Sequence, residues 1–500
     1  MTAFRWAGKE LNGKESLIML STAEIKQFID EDTYSSKKRL AEVGERYYEG
    51  DHDINQSRFF YFDADGNLQE DKYRSNVKIA HPFFTELTDQ LTAHLLSFKD
   101  NPIQAKDGTD GLQEYLDTYF DERFWEEITE LLTDTYTKGF GYLYAFKNAD
   151  DRLEFEAADS MGVVEVREQD TDDKCAHIIY WYNDRIEKGT KIVKKIQVWD
   201  NTQTYYYEQV DSGEIVLDKD AKINPRPHII YTDDDSGSLK YEVLGFMPFW
   251  RLDNNRKQIS GLKSIKALID DYDIMMCGLS NNVTDFDTPL HIVTGFQGDD
   301  LNELQQNLKT KKIVGVDVGG GIDVKTVNIP YQARQVKAEA DEKAIYRFGF
   351  GLNMAGLKDT SATTNIAIKS AYSLLEMKAN KMEKRLKRLL KELLKVVLNE
   401  INTKYSKDYQ LNDVKFDFTR NLMVNEAENA NVEKVKADTT MVKINTIMNA
   451  AGAIGEDEVI KAICGELDID YDKVKSELER KNEEQQTAEA QVTLNNTTTV

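Results

Sequence analysis

The pattern of hydrophobic and polar residues is clearest over residues 328–402, where it predicts a helix, a short break and a long helix. Pro330 suits the first helical position, because its missing N–H would lack a partner there in any case. Apolar residues then recur at three- and four-residue spacings as far as Phe350. Gly349 and Gly351 predict the end of this helix, since glycine readily adopts the left-handed conformation that terminates helices.

The long helix is predicted from Ile366 to Asn402, a span that contains neither proline nor glycine. At about 1.5 Å per residue it would be roughly 55 Å long, much longer than the usual three or four turns. Its apolar stripe consists of Ile368, Tyr372, Leu375, Ala379, Met382, Leu386, Leu389, Leu390, Leu393, Val397 and Ile401. Another face is basic and carries Lys378, Lys381, Lys384, Arg385, Lys387, Arg388, Lys391 and Lys395. This face is either solvated, with i,i+4 pairs such as Glu383–Lys387, or it meets an acidic surface of a neighbouring subunit.

The chain before residue 260 is predicted to start with helices and to become rich in strands after Gly141. A hairpin is predicted over Ser57–Asp71, with an acidic turn at Asp63–Gly66. The helices are predicted over residues 22–31 with Thr22 as the cap, 37–49, 80–98, 112–120 and 124–138. The strands are predicted over residues 153–157, 162–166, 177–182, 191–199, 203–209, 223–231 and 241–250.

A small β-rich segment between Pro289 and Pro330 follows a helix that is predicted over residues 261–286. That helix is apolar around most of its circumference, so we expect it to be buried or to contact neighbours on two sides. Within the β-rich segment we predict a short helix over residues 299–309 and a hairpin turn at Gly319–Gly321. The order helix, lobe, helix indicates a small lobe at the end of a helical stalk.

Length and charge narrow the class of protein. Five hundred residues exceed one ordinary core, so several domains are expected, and a net charge of −24 argues against a surface built to bind nucleic acid. Cys175, Cys277 and Cys464 lie far apart without a CxxC motif, which predicts neither a disulfide framework nor a cysteine zinc site. The polar N-terminus predicts no signal peptide, and the lack of a long apolar run predicts no membrane span.

The sequence also lacks the usual signs of catalysis. It contains no HExxH, GxSxG or GxxxxGK[ST] motif, and its histidines are scattered. The stretch Gly315–Gly321 leads into a predicted strand without a Lys-Ser/Thr pair, so we interpret it as a turn and not as a phosphate-binding loop. We predict no catalytic residue, no metal and no cofactor. The patterns favour a non-catalytic assembly protein, and a soluble enzyme with an unrecognised site is the alternative.

Several short segments follow one another in an order that is typical of one protein family. They are Arg46–His52 (RYYEGDH), Asn76–Pro82 (NVKIAHP), Thr137–Tyr144 (TKGFGYLY), Leu244–Pro248 (LGFMP), Asn254–Asn255 and Leu268–Asp273 (LIDDYD). Through these segments the chain resembles the portal proteins of tailed bacteriophages, of the type found in long-tailed phages of Gram-positive hosts. The likeness extends from Leu40 to Asn402.

The resemblance implies an α+β, multi-domain portal fold that assembles into a cyclic ring of about twelve subunits. The implied domains are the N-terminal part of the wing (1–257), a stem helix (258–288), a small α/β clip (289–327), a second stem helix (328–351), a tunnel loop (352–365), a long helix and return to the wing (366–424), a helical crown (425–483) and a disordered tail (484–500). The clip would thus be inserted between the two stem helices.

The resemblance further implies partners and functional residues. Double-stranded DNA would pass through the ring without sequence specificity, and the large terminase subunit, head-completion or adaptor proteins, scaffold protein and major capsid protein would bind the ring. The implied location is the portal vertex of the virion, after assembly in the host cytoplasm. The implied DNA-tunnel residues are Lys358, Asp359, Thr360, Ser361, Thr363, Thr364 and Asn365, of which Lys358 is the only base. The implied docking residues of the clip are Asp299, Asp300, Glu303, Lys309, Lys311 and Lys312. Another non-catalytic, ring-forming scaffold is the alternative.

Overall fold

The structure is a computed structural model in which the chain folds into helices and small antiparallel sheets. It describes residues 20–72, 74–109, 111–148, 151–167, 175–187, 189–232, 239–286, 290–296, 302, 316–325, 330–353, 365–420, 426–450, 452, 455–467, 469, 471, 473–477 and 480. The described residues fall into two compact units, one drawn from residues 1–356 and 371–422 and the other from residues 357–370 and 423–500. The mixture of helix and sheet confirms the predicted α+β class.

The helices begin and end largely where the sequence pattern predicts. Their bounds are α1 Thr22–Thr33, α2 Ser36–Tyr48, α3 Phe83–Leu95, α4 Leu112–Tyr119, α5 Glu122–Lys138, α6 Lys266–Phe286, α7 Tyr331–Gly349, α8 Asn365–Tyr405, α9 Glu426–Asn449 and α10 Glu456–Leu467. Ser21, and not the predicted Thr22, caps α1: its hydroxyl oxygen accepts the N–H of Glu24, whose carboxylate accepts the N–H of Ser21 in return.

The strands form several separate sheets. Their bounds are β1 Phe60–Phe62, β2 Leu68–Glu70, β3 Ile103–Ala105, β4 Phe140–Lys147, β5 Leu153–Ala158, β6 Val163–Val166, β7 His177–Glu187, β8 Lys191–Trp199, β9 Gln203–Val210, β10 Val216–Leu217, β11 Arg226–Pro227, β12 Ile229–Thr232, β13 Leu239–Glu242, β14 Phe249–Asp253, β15 Leu290–Phe296, β16 Val316–Lys325 and β17 Val414–Phe416. The predicted strands over 223–231 and 241–250 are each interrupted, since β11 and β12 are separate and β13 ends before β14 begins.

The largest sheet runs in the order β10-β9-β8-β7-β6, with β11 paired to β9. A second sheet runs β14-β4-β5, and β1-β2, β12-β13, β15-β16 and β17-β3 are two-stranded. Helix α1 covers one face of the largest sheet, where Ile25 and Ile29 pack with Ile179 and Ile196. Helices α3, α4 and α5 share their core with β4 and β5.

Helix α8 is the longest of the described helices, and its apolar stripe lies in the main core. The predicted stripe residues from Leu375 to Ile401 are all buried, which confirms the three- and four-residue spacing. The basic face does not behave as one surface. Arg385 donates to the carbonyl of Asp253, and Lys387 pairs with Glu383 at 2.7 Å, whereas other bases of this face remain exposed.

One prediction for the inserted lobe is wrong. Gly319–Gly321 is not a hairpin turn but lies inside β16, which pairs with β15 across a register shift between Thr294 and Phe296. The left-handed φ of +89° at Gly319 accommodates this bulge, so the glycines serve an irregular strand. Helix α7 ends at Gly349, as predicted, and the residue that follows it, Phe350, adopts the left-handed conformation (φ +62°) that we expected of a neighbouring glycine.

The second unit contains α9 and α10, which pack against each other. The predicted helices over the C-terminal region are confirmed for these two elements, and residues 426–449 form one helix. A third helix, predicted over residues 470–481, is confirmed where the chain is described, at residues 471, 473–477 and 480, and the predicted tail lies outside the described residues. None of the described helices combines the length and the apolarity that a bilayer crossing requires.

Candidate functional site

The order of elements predicted for the stalk is present in the structure. Helices α6 and α7 pack against each other, and β15 and β16 lie between them in sequence. Lys337 on α7 pairs with Asp271 on α6, and the Arg334 guanidinium donates to the carbonyl of Met275 at 3.2 Å. Arg334 lies over Gly278, where an added Cβ would be 2.3 Å from the guanidinium, so glycine allows this close approach.

An extended segment, residues 75–81, lies along α6 and is held by a regular series of hydrogen bonds that we call the ladder. The N–H groups of Ser75, Val77, Ile79 and His81 donate to the side chains of Asp285, Asn281, Cys277 and Asp273, at 3.2, 2.6, 3.2 and 3.0 Å. Every second residue of an extended chain thus meets every fourth residue of a helix, because both steps cover about 6 Å.

At one end of the ladder the fully buried Asp273 is shared by two histidines. His52 and His81 each place Nδ1 2.7 Å from a different oxygen of this carboxylate, and the ring of His52 stacks on Tyr47. Burial acts to raise the pKa of Asp273, but the hydrogen bonds from both histidines outweigh it and leave this pKa below its ordinary value. Asp273 therefore joins α6 to the segment after α2 and to residues 75–81.

Close backbone contacts join α2, α5 and the chain before α6. Added Cβ atoms would lie 1.9 Å from the Thr137 carbonyl oxygen at Gly44 and 2.5 Å from the Gln258 carbonyl oxygen at Gly139. Gly139 ends α5 with a φ of +98°, and its carbonyl accepts the N–H of Asn254 at 3.0 Å. The resemblance segments around residues 137–144 and 254–255 thus meet in space. Contact between backbones requires the glycine at 139, whereas the side-chain amides of Asn254 and Asn255 both donate to the carbonyl of Ile259.

Side-chain hydrogen bonds hold the chain at the end of α7, residues 349–353, at several points. The side-chain amide of Gln90 on α3 pairs with the backbone of Leu352, donating to its carbonyl at 2.9 Å and accepting its N–H at 2.8 Å. Asn353 donates to Glu342 at 3.0 Å. From α8, Lys378 donates to the carbonyl of Gly349 at 2.8 Å, at the negative end of the α7 dipole.

Lys378 is therefore not part of the exposed basic face. Its ammonium also hydrogen-bonds the Tyr136 hydroxyl and lies 3.9 Å from the centre of the Tyr136 ring. Burial, and to a smaller extent the charge of Lys381, lowers the pKa of Lys378 to about 7. The sequence placed Lys378 on the basic face, because helical periodicity alone does not reveal that α5 and the end of α7 cover this position.

The residues predicted for the tunnel loop and the clip surface lie almost entirely outside the described residues. Asn365 is the first residue of α8. The others that fall outside are Lys358, Asp359, Thr360, Ser361, Thr363, Thr364, Asp299, Asp300, Glu303, Lys309, Lys311 and Lys312. Asn302 is helical, within the short helix predicted over residues 299–309. The structure describes both ends of the loop and the paired strands of the lobe.

The described residues contain one group of carboxylates close enough to share a cation. Glu208, Asp218 and Asp220 place oxygens within 4.8 Å of one another. The Lys195 ammonium lies between them, 2.8 Å from Asp218, 3.3 Å from Asp220 and 3.6 Å from Glu208. The lysine supplies the positive charge that such a cluster needs, so the geometry is that of a structural ion-pair network on the largest sheet.

Comparison with known proteins decides the family. The model of the phage portal protein family of the SPP1 Gp6-like type matches residues 27–490. The chain belongs to this portal protein family. It is 24% identical over 381 residues to the portal protein of Bacillus phage SPP1, covering 75% of this chain and 74% of that one. A portal protein of Clostridium phage phiCD119 is 30% identical over 192 residues, 37% of this chain and 41% of its own length.

Family membership confirms the resemblance to portal proteins of phages of Gram-positive hosts. Portal-family proteins are structural, non-catalytic components of the phage capsid, which explains why the sequence shows no catalytic motif. In this portal-family chain the ladder and the shared Asp273 explain two of the resemblance segments, Asn76–Pro82 and Leu268–Asp273. Asp273 of the second segment accepts hydrogen bonds from the backbone and ring of His81 in the first, whereas the side chains of Asn76 and Lys78 donate to the carbonyls of Ser57 and Asn55.

Proposed function

We propose that this portal-family chain forms a cyclic ring, of about twelve copies, through which double-stranded DNA is packaged into the capsid and later leaves it. The observation that carries the proposal is the pair α6 and α7, packed together on either side of an inserted β-hairpin lobe. A ring made by rotation needs a different surface on each side of the subunit. The packed helix pair supplies an element around which such surfaces can be arranged.

Within this proposal the parts of the chain take the following roles. Residues 1–257 and 366–424 form the wing, α6 and α7 the stem, residues 289–327 the clip and residues 425–483 the crown. The clip, with Asp299, Asp300, Glu303, Lys309, Lys311 and Lys312, binds the large terminase subunit and later the head-completion proteins. Scaffold protein and major capsid protein contact the ring during assembly in the host cytoplasm, and the mature ring remains at one vertex of the virion.

Residues 352–365 act as the tunnel loop that faces DNA. Support comes from the start of this loop, where Gln90, Glu342 and Lys378 hydrogen-bond residues 349–353. These three side chains belong to three different helices. A loop that touches moving DNA needs such an anchor, because force on its tip would otherwise displace the chain that follows α7. The acidic balance of the protein suits a conduit, since strong attraction to phosphate would slow the passage of DNA.

The mass of the purified protein tests the ring. Twelve copies of a 57.3 kDa chain have a mass of about 690 kDa, which mass photometry resolves from rings of eleven or thirteen and from small oligomers. Any of these closed rings supports the proposal, and binding of purified large terminase to the ring separates a portal from another ring-forming scaffold. A monomer or dimer at micromolar concentration, unchanged by scaffold protein, would contradict it.

Replacement of the single base in the loop tests contact with DNA. Lys358 is the only Lys or Arg within residues 352–365, so Lys358→Ala removes the only positive charge that the loop offers to phosphate. We expect lower packaging velocity and shorter packaged DNA in an assay with purified procapsids and terminase. Lys358→Arg is the matched control, and it should keep the packaging velocity and the length of packaged DNA unchanged. Unchanged velocity and length in the Ala variant would remove Lys358 from the DNA path.

A further inference from the structure

The hairpin β1-β2 presents an apolar face that no part of the described chain covers. Phe60 pairs with Glu70 and Phe62 with Leu68, so these four side chains share one face of the two-stranded sheet. Phe60, Phe62 and Leu68 are 54%, 73% and 59% exposed. A two-stranded hairpin has little stability of its own in water, and exposed aromatic residues on such an arm are typical of a docking element.

The turn and the second strand of the hairpin, within residues 62–71, are acidic. It carries Asp63, Asp65, Glu70 and Asp71 and contains no Lys or Arg. The Asp63 carboxylate accepts the N–H groups of Asp65 and Asn67 and thereby fixes the turn, and these bonds, led by that from Asn67, lower the pKa of Asp63. The hairpin therefore presents a formed apolar patch with an acidic rim, of which Glu70 also lies 3.9 Å from the guanidinium of Arg58. A matching partner surface needs basic side chains around apolar contact area.

Such a surface exists on α8. We define the basic stripe as Met377, Lys381, Lys384, Arg388, Lys391 and Lys395, which follow one another at alternating four- and three-residue spacings. These residues lie on the helix face opposite the buried stripe, and all of them are exposed. Within the described residues Lys395 pairs with Glu392 at 2.9 Å, whereas Lys381, Lys384, Arg388 and Lys391 form no ion pair.

The stripe is about 27 Å long, at 1.5 Å per residue, and can receive the whole short hairpin. The aliphatic stems of lysine and arginine provide apolar contact area, while their charged ends reach the carboxylates of the rim. A guanidinium or ammonium over Phe60 or Phe62 adds a cation–π interaction. Both surfaces are exposed in the described chain and are therefore available for contact between two copies.

We propose that the hairpin β1-β2 of one copy docks on the basic stripe of the next copy around the ring. This inference rests on the proposed ring. The contact joins two different surfaces of the same chain, and such a head-to-tail contact repeats until the ring closes. The stripe also places positive charge between subunits that each carry a net charge of −24, which relieves repulsion during assembly.

Two single substitutions test the contact from both sides by mass photometry over a range of concentrations. Phe62→Asp removes the most exposed apolar residue of the hairpin, and Arg388→Glu reverses the charge at the middle of the stripe. Each should raise the concentration needed for ring formation about tenfold or more. Tyr34→Asp and Lys26→Glu make the same kinds of change at exposed positions of α1 and its end, and they should leave assembly unchanged.

Charge exchange and cross-linking identify the partner surface. Asp65→Arg combined with Arg388→Glu should recover most of the assembly that Arg388→Glu loses. Phe62→Cys is combined in turn with Lys384→Cys, Arg388→Cys and Lys391→Cys. At least one combination should give a series of disulfide-linked multimers on oxidation. The wild-type chain and Phe62→Cys with Lys26→Cys control for the native cysteines, of which Cys277 and Cys464 are buried.

The outcomes separate the two proposals. A wild-type ring whose assembly is unaffected by Phe62→Asp and Arg388→Glu, and which gives no cross-links, overturns the docking contact and leaves the ring in place. Normal assembly with loss of packaging in Phe62→Asp assigns the hairpin to another head protein and also overturns the contact. If the wild-type chain forms no ring under any condition, both the ring and the docking contact fail.

Discussion

Asp273→Asn should destabilise the first unit by about 3 kcal/mol, because it leaves buried donors without their charged acceptor. Asp273 is fully buried and accepts hydrogen bonds from the backbone and Nδ1 of His81 and from Nδ1 of His52. An amide of the same size keeps one acceptor oxygen and turns an NH₂ group toward one of the rings. Thermal unfolding followed by circular dichroism measures the loss.

The same variant should show a defined dependence on pH. The pKa of Asp273 in the folded protein lies below its ordinary value of 3.8, so the stability that it contributes is fully present above about pH 4 and is lost as the pH falls through the lowered pKa. The difference in free energy of unfolding between wild type and variant should narrow over that acidic range.

Asp271→Asn is the control on the same helix, because Asp271 makes an exposed pair with Lys337 that is worth about 0.5 kcal/mol. Equal losses in the two variants would contradict a special role for Asp273.

Gly139→Ala should destabilise the first unit by about 3 kcal/mol or more, from two causes that act together. A φ of +98° is unfavourable for any residue with a Cβ, and the new atom would lie 2.5 Å from the carbonyl oxygen of Gln258. The backbone must move, which disturbs the hydrogen bond from Asn254 to the Gly139 carbonyl. Urea unfolding followed by tryptophan fluorescence measures the change.

Gly111→Ala separates the two causes. Gly111 precedes α4 with a φ of +76°, but the nearest atom to an added Cβ is the Tyr409 hydroxyl oxygen at 3.7 Å. This variant carries the backbone strain without the clash and should lose about 1–2 kcal/mol. If both glycine variants lost the same stability, the close approach at Gln258 would have no energetic importance.

The sequence pattern predicted α8 well, because a one-sided apolar stripe is a local property of the chain. Its buried stripe follows the predicted spacing from Leu375 onward. The fate of individual basic residues on the same helix was not predictable. Lys378 is covered by Tyr136 and by the end of α7, which are distant in sequence, whereas Arg388 remains exposed. Periodicity identifies the core side of a helix but not which neighbouring element crosses the other side.

The candidate site shows the same division. Helices α6 and α7 and the intervening lobe were predictable from their order, but the glycines at 319–321 were assigned to a turn and lie in a bulged strand. Glycine favours turns and bulges alike, and only the partner strand decides between them. The ladder was also hidden, since its donors are backbone groups and its acceptors are Asp285, Asn281, Cys277 and Asp273, whose side chains share no single chemical type.

The ladder has a mechanical consequence for any tension along the stalk. Residues 75–81 run antiparallel to α6, so a pull along the helix axis loads its four hydrogen bonds in shear, all at once, and does not open them singly from one end. Two extended residues advance about 6.6 Å and four helical residues about 6.0 Å. Each further hydrogen bond of the ladder therefore adds roughly 0.6 Å of mismatch between the extended segment and the helix. This growing mismatch limits the ladder to a few successive hydrogen bonds. The ladder thus resists sliding of residues 75–81 along α6. All of its hydrogen bonds would break after a displacement of a few ångströms.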